Sequence, residues 1–286
     1  MIDIKLLEQL CLCNGISGDE GNVRNLIINE IKDCADDIKT DNLGNLIVFK
    51  KGKKSAKSKL MVSAHMDEVG LMVTDITSDG YLKFDEVGGI DRRVLPGKRV
   101  CVGRNGLNGV IGVKPIHLTN GDEKTAVPKM NDMYIDIGAE SREDALKYVN
   151  YGDGINFEGD FKINGKTVVT KALDDRFGCY VLINLIKSEP EYDMYFTFVV
   201  QEEVGLRGAR SAAFTVNPDF ALVIESTTAA DVAEVDVSHQ VCNFSKGATV
   251  TVMDRATVYD KEMISAAFEL AEKNNIAVQY KRAVAG

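Results

Sequence analysis

The sequence predicts an α/β protein, a mixed central sheet flanked by helices and interrupted by an inserted small β-domain. Three observations predict it. Helical and strand-like segments alternate at the start of the chain and again toward its end. The stretch Leu60-Met-Val-Ser-Ala-His65 is apolar or small up to its histidine, as in a strand covered on both faces. Between positions 70 and 165, short strand-like runs follow one another across glycine-containing turns. The expected division is therefore 1–69 plus 166–286 for the α/β domain and 70–165 for the insertion.

The elements follow in order. Met1-Ile-Asp-Ile-Lys-Leu-Leu is a first amphipathic helix, and Ser17-Gly-Asp-Glu20 fits a capping box ahead of Val23, Leu26, Ile27 and Ile31 at helical spacing. Ile38 to Lys50 reads as two strands around an Asn42-Leu-Gly-Asn45 turn, leading to the Leu60 strand. Within the insertion, strands are expected at Met72–Ile76, Tyr81–Phe84, Arg99–Val102, Gly109–Val113, Ile155–Phe157 and Phe161–Ile163, with a helix over Ser141–Tyr148. Alternation then resumes: helix Arg176–Ile186, strand Met194–Val200, helix Gly208–Thr215, strand Asp219–Ile224, strand Thr249–Met253, helix Asp260–Lys273 and strand Ile276–Arg282.

Composition excludes several function classes. With 286 residues, 45% hydrophobic and 27% charged, the chain is an ordinary globular one with ample core. A net charge of −9 without a lysine or arginine stripe argues against nucleic acid as the partner, and the short basic run Lys50–Lys59 reads as a solvated loop. No apolar run reaches membrane-spanning length and the N-terminus lacks a secretory layout, so a cytoplasmic protein with no membrane partner is expected. The six scattered cysteines, with no C-x-x-C pair, read as reduced.

Chemistry concentrates where apolar strands end in acids. Leu60–His65 runs into Asp67 and Glu68, Tyr195–Val200 into Glu202 and Glu203, and Ala221–Ile224 into Glu225. Asp174 and Asp175 sit at a loop-to-helix junction, where each alone is a helix cap. If the strands share a sheet, His65, Asp67, Asp174, Glu202, Glu203 and Glu225 collect on one edge, and so many carboxylates need a cation. Carboxylates with an imidazole suit zinc or cobalt, with manganese also compatible, and an aspartate can bridge two ions about 3.5 to 4 Å apart. A glutamate left off the metal can move the proton from water to a leaving amine. In an extended segment Glu202 and Glu203 point to opposite sides, so one can ligate while the other serves the substrate. That geometry counts against facing glycosidase carboxylates. No Gly-x-Ser-x-Gly is present, and nearness of His239 to Cys242 is weak support for a nucleophilic pair.

His65-Met-Asp67-Glu-Val-Gly, Ala172-Leu-Asp174-Asp175-Arg176-x-Gly178, Gln201-Glu202-Glu203-Val-Gly-Leu-Arg-Gly208 and Glu225-x-Thr-x-Ala together resemble the TET-type glutamyl aminopeptidases, dinuclear metallo-aminopeptidases of which some are labelled endoglucanases. The likeness extends to Gly109-Val-Ile-Gly-Val-Lys-Pro115 and Met253-Asp-Arg-Ala256. It implies two divalent ions: His65 and Glu225 would hold one, Asp174 would bridge and Glu203 would ligate the other. Glu202 would be the general acid/base and Asp67 would position His65. It also implies that the fold is zinc-aminopeptidase-like and the insertion PDZ-like. Short peptides would be the substrates, cleaved from their N-termini, and the insertion would build homo-oligomers, dimers assembling to a tetrahedral dodecamer.

The chain departs from the family in one respect. Members continue past the equivalent of Arg282-Ala-Val-Ala-Gly286 into a segment that carries a last histidine ligand, and neither His117 nor His239 occupies a matching position. An incomplete piece, a natural fragment and a diverged protein all account for this; the first two are favoured because 283–286 has no charged or tail-like character. The expectation is weak metal binding on the Glu203 side and little peptidase activity. A non-catalytic scaffold and a metal-dependent deacylase or endoglucanase-type hydrolase are the alternatives.

Overall fold

The computed structural model describes residues 3–121 and 125–282, so the closing 283–286 stretch lies outside the described residues. The chain divides into two units, Met1–Glu225 and Ser226–Gly286.

The first unit opens with helices α1 (Ile4–Leu12) and α2 (Gly21–Ile31), then strands β1 (Asp37–Thr40), β2 (Leu46–Lys50) and β3 (Leu60–His65). A run of short strands follows: β4 (Gly70–Ile76), β5 (Leu82–Val87), β6 (Arg99–Val102), β7 (Leu107–Val113) and β8 (Met133–Asp136). After the one-turn helix α3 (Arg142–Ala145) come β9 (Gly154–Phe157) and the hairpin of β10 (Lys162–Asn164) with β11 (Thr167–Val169). Helix α4 (Leu173–Lys187), β12 (Met194–Val199), α5 (Arg207–Val216) and β13 (Phe220–Val223) complete the unit.

The main sheet has the order β1-β2-β12-β3-β13. β3 lies between β12 and β13 and is parallel to both, while β12 with β2 and β2 with β1 are antiparallel. The expected mixed sheet is present, with the Leu60 strand inside it. Alternation along the strands sorts the side chains onto two faces. Val48, Val62, Phe196 and Phe198 pack with Leu10, Ile27 and Leu182 of α1, α2 and α4. Ile47 and Met61 turn the other way to meet Val216 of α5. Full burial of Phe196 and Phe198 contributes about 2 to 3 kcal/mol each.

The small β-domain expected between 70 and 165 is a closed barrel in the order β4-β5-β8-β7-β6-β9, filled by Leu71, Val73, Phe84, Val100, Ile111, Ile135 and Ile155. β8, which supplies Met133 and Ile135, carries no strand expectation in the sequence reading. The helix expected over Ser141–Tyr148 shortens to α3, with the Ser141 hydroxyl accepting from the Asp144 N–H.

The capping box at Ser17 is a correction. Ser17 Oγ donates to Asp67 Oδ2 at 2.6 Å, and α2 starts only at Gly21 with no side-chain cap. The chain turns at Gly18, with φ 89°, and enters α2 at Glu20, so Ser17 does not stand at the helix N-terminus and its hydroxyl donates to the buried carboxylate instead.

The second unit holds β14 (Ala248–Val250), α6 (Lys261–Lys273) and β15 (Val278–Tyr280), with β14 parallel to β15. Asp260 caps α6 by accepting from the Met263 N–H. Among the described residues, no helix is long and apolar enough to cross a membrane. All six cysteines are free thiols.

Candidate metal centre

Parallel pairing brings the strand ends to one edge. Val199 is the register partner of His65, so Glu202 and Glu203 follow just beyond it; Val223 pairs with Ser63, and Glu225 comes two residues later. Asp174 arrives at the start of α4. Ligands gather at this carboxyl edge in open α/β sheets.

The His65 imidazole is the hub. Its Nε2 lies 3.1 Å from Asp174 Oδ1, 3.6 Å from Glu225 Oε1 and 4.0 Å from Glu202 Oε2. Its Nδ1 lies 3.1 Å from the carbonyl oxygen of Asp67 and 3.4 Å from Asp67 Oδ1. The His65 side chain is 2% exposed, whereas the Asp174 side chain is 58% exposed. Two sets of donor atoms, His65/Asp174/Glu225 and His65/Glu202/Glu203, each fall within 4.8 Å of one another.

The first set coincides with the ligands that the resemblance implies for one ion. The second brings Glu203 together with Glu202 and His65, without Asp174. Glu202 and Glu203 therefore do not point to opposite sides, as an extended segment requires. The reason is local: Gln201 has φ 54° and the Gly205 N–H closes a turn onto the Glu202 carbonyl, so the chain bends and both side chains face the imidazole. His117 and His239 are both exposed.

The electrostatics follow from this crowding. Burial alone lowers the basicity of His65, but Asp174, Asp67 and Glu225 together raise its pKa far above the ordinary imidazole range. Burial pushes the carboxyls of Asp67 and Asp174 upward, yet hydrogen bonding to His65 outweighs it and both end below the usual range. Burial raises Glu202, with Glu225, Asp67 and Asp174 adding to it, and pushes Glu203 up to about 7. A donor set of one imidazole nitrogen and several mutually repelling carboxylate oxygens suits a divalent ion such as zinc, cobalt or manganese, which takes the imidazole in its neutral form. Three protein donors per set match the ligand count of catalytic zinc sites. The residues fit the group.

Several supporting residues escaped the sequence reading. Asp175, fully buried, accepts from the His65 and Gly178 N–H groups, and burial followed by the Glu225 charge pushes it up to about 9. Glu68 pairs with Lys171 at 2.9 Å and Arg176 at 3.4 Å. Ser17, Glu20 and Asn45 reach the centre from the N-terminal segment. Asp175 and Arg176 stand within the Ala172–Gly178 motif, which gives no sign of these contacts; Glu20 and Asn45 carry no local signal beyond a cap and a turn. The barrel also touches the site, since the backbone at Gly88 lies so close to Glu203 that an added Cβ would stand 3.2 Å from the Glu203 Cβ.

A mixed sheet flanked by helices, with a histidine and carboxylates gathered at its strand ends, defines a metallohydrolase. The chain belongs to the M42 glutamyl aminopeptidase family, which matches residues 44–286. It is similar to the lysyl aminopeptidase of Pyrococcus furiosus, at 33% identity over 290 residues covering 98% of this chain and 81% of that protein. The TET1 peptidase of Pyrococcus horikoshii, described as assembling into a tetrahedron or a large octahedral shell, shares its fold with a TM-score of 0.85 at 41% identity, over 97% of this chain and 83% of that one. An endoglucanase-labelled structure from Thermotoga maritima matches with a TM-score of 0.84 at 40% identity, over 98% and 84%. The protein is accordingly a hydrolase acting on peptide bonds.

Proposed function

We propose that this chain is a cytoplasmic aminopeptidase that removes N-terminal residues from short peptides with the help of two divalent ions. The observation that carries the reading is the gathering of His65, Asp174, Glu225, Glu202 and Glu203 at one strand edge, with His65, Asp174 and Glu225 close enough to share an ion and Glu202 and Glu203 beside them. His65, Asp174 and Glu225 would hold one ion and Glu203 would serve the second, with Asp174 shared between them. When bound, such ions supply Lewis acidity for a peptide carbonyl and for water. Glu202 takes the proton from the attacking water and hands it to the leaving amine. Asp67 holds the backbone of this glutamate pair and faces the Nδ1 side of His65.

The α/β part, 1–69 plus 166–286, would be the catalytic domain, and the barrel within 70–165 a PDZ-like module for homo-oligomerisation, with dimers building a tetrahedral dodecamer as in the TET peptidases. Glu202 and Glu203 share one strand end rather than flanking a cleft, which favours peptide over glycan.

Metal analysis combined with chromogenic peptides bearing free or blocked N-termini tests the proposal. Cleavage confined to free N-termini, dependent on zinc, cobalt or manganese and slow because the Glu203 side holds its ion weakly, is the expected result. Equal cleavage of blocked peptides, or metal binding without turnover, would overturn it in favour of a deacylase or a scaffold.

A further inference from the structure

Four consecutive backbone N–H groups in the segment that carries Glu202 and Glu203 donate to side-chain oxygens. Val200 N–H reaches Asn45 Oδ1 at 3.0 Å, Gln201 N–H reaches Glu20 Oε1 at 3.1 Å, Glu202 N–H reaches Asp67 Oδ1 at 3.0 Å and Glu203 N–H reaches Asp67 Oδ2 at 3.1 Å. The acceptors are buried: Asn45 and Asp67 are 0% exposed and Glu20 is 4% exposed. They come from three separate places, the turn after β1, the residue ahead of α2 and the end of β3.

Each acceptor is itself held. Asn45 Nδ2 donates to Asp41 Oδ2 at 2.7 Å and to the Gly208 carbonyl at 3.0 Å, so Asn45 grips both ends of the 200–208 segment. Glu20 Oε1 also accepts from the Gly18 N–H at 2.7 Å, and Asp67 Oδ2 accepts from Ser17 Oγ.

The segment needs such support. β12 ends at Val199, so the ladder partners of a strand stop just where the two glutamates begin. Gln201 adopts a left-handed φ of 54°, a region L-residues enter only when their surroundings enforce it. That bend is what turns both glutamates toward His65.

We infer that Glu20 and Asn45 are positioning residues, which hold the Gln201 and Val200 N–H groups as hydrogen-bond acceptors and thereby fix the bend that aims Glu202 and Glu203 at the His65 centre. The inference rests on the proposed role of Glu202 for its catalytic consequence, and on the hydrogen bonds alone for its structural one. Burial raises the pKa of Glu20, against the backbone hydrogen bonds from Gly18 and Gln201, which lower it. Glu20→Gln keeps that acceptor oxygen; Glu20→Ala and Asn45→Ala remove one.

Three readouts test it: amide hydrogen exchange at 200–203 in the metal-free protein, cobalt(II) affinity followed by absorption, and kcat and KM with a free N-terminal peptide. Glu20→Ala is expected to speed exchange at Gln201 about tenfold, to weaken cobalt binding about tenfold, and to lower kcat about tenfold with KM within about twofold. Asn45→Ala should do the same with its largest exchange effect at Val200, and Glu20→Gln should stay close to wild type in all three. Unchanged exchange and cobalt affinity in Glu20→Ala overturn the inference, as does a Glu20→Gln protein as impaired as Glu20→Ala. Faster exchange with unaltered cobalt affinity also overturns it, since the segment would then be held without aiming its glutamates. If the wild-type chain turns over no peptide, the aminopeptidase reading fails, while exchange and cobalt affinity still decide this inference.

Discussion

The Lys171 ammonium sits 2.9 and 3.0 Å from the two carboxylate oxygens of Glu68, with the lysine side chain 12% and the glutamate side chain 5% exposed. Glu68 Oε1 also accepts from the Gly15 N–H at 3.2 Å and from Arg176 Nη2 at 3.4 Å. The guanidinium of Arg176, fully buried, donates to the carbonyls of Leu10, Cys13, Gly15 and Met66. Glu68 thus couples the turn after His65 to the end of α1 and to the start of α4. In the sequence it is merely an acid next to the His-x-Asp pair.

Truncating this carboxylate leaves the buried Arg176 and the half-buried Lys171 without their counter-charge, which costs far more than an exposed ion pair. Glu68→Ala is expected to lower the unfolding free energy by about 3 kcal/mol in urea titration. Glu68→Gln keeps an acceptor for Gly15 and Lys171 and should lose less. A Glu68→Ala midpoint equal to that of wild type would refute the role given to this cluster.

Divalent ions should stabilise the fold through His65. Binding to the native state alone raises stability by RT ln(1 + [L]/Kd), about 2.7 kcal/mol at a hundredfold excess over Kd. Thermal melts with added zinc or cobalt are expected to shift upward in wild type and to remain unshifted in His65→Ala, because both donor sets include that imidazole. A full shift retained by His65→Ala would place the ions elsewhere.

The sheet and the candidate metal edge were legible because strand ends leave marks in a sequence. An apolar run closing on His65, another closing on Glu202 and a third on Glu225 locate the edge without any knowledge of strand order. Closure of the barrel was not legible: its six strands are short, and β8 is recognised only by what Met133 and Ile135 pack against. Nor were the partners of the 200–203 backbone. Ser17 and Glu20 have the spacing of a capping box, and only the fold reveals that they turn to Asp67 and Gln201 instead. The bend at Gln201 likewise depends on those long-range partners, which is why the expectation of opposed glutamates failed.

Gly208 illustrates a requirement set entirely by close approach. A Cβ there would stand 2.3 Å from Asn45 Oδ1 and 2.4 Å from the Val200 carbonyl oxygen, inside the link that closes the 200–208 segment. Neither neighbour can yield without breaking its own hydrogen bond, as Val200 O accepts from Gly208 N–H and Asn45 Oδ1 from Val200 N–H. Gly208→Ala is expected to destabilise by about 1 to 3 kcal/mol in denaturant melts, the range for forced overpacking. An unaltered melt would show that the segment relaxes freely.

Asp41 links acid stability to the same segment. Its Oδ1 accepts from the N–H groups of Leu43, Gly44 and Asn45 at 3.0, 2.9 and 3.0 Å, and its Oδ2 from Asn45 Nδ2 and Ser211 Oγ at 2.7 and 2.8 Å. Partial burial pushes this carboxyl upward, but the hydrogen bonds from Asn45, Ser211 and the turn prevail and its pKa lies below the model-compound value of 3.8. The unfolded chain then binds the proton more readily than the folded one, so stability rises with pH across this window. The contribution is complete above the unfolded pKa of about 3.9 and is lost as pH falls through the lower folded value. In Asp41→Asn, an amide replaces an oxygen that must accept, so the variant should be less stable at neutral pH and its stability should fall less steeply below about pH 4 than that of wild type. Urea midpoints measured from pH 7 to pH 3 check this: parallel curves for the two proteins would show that Asp41 titrates alike in folded and unfolded chains.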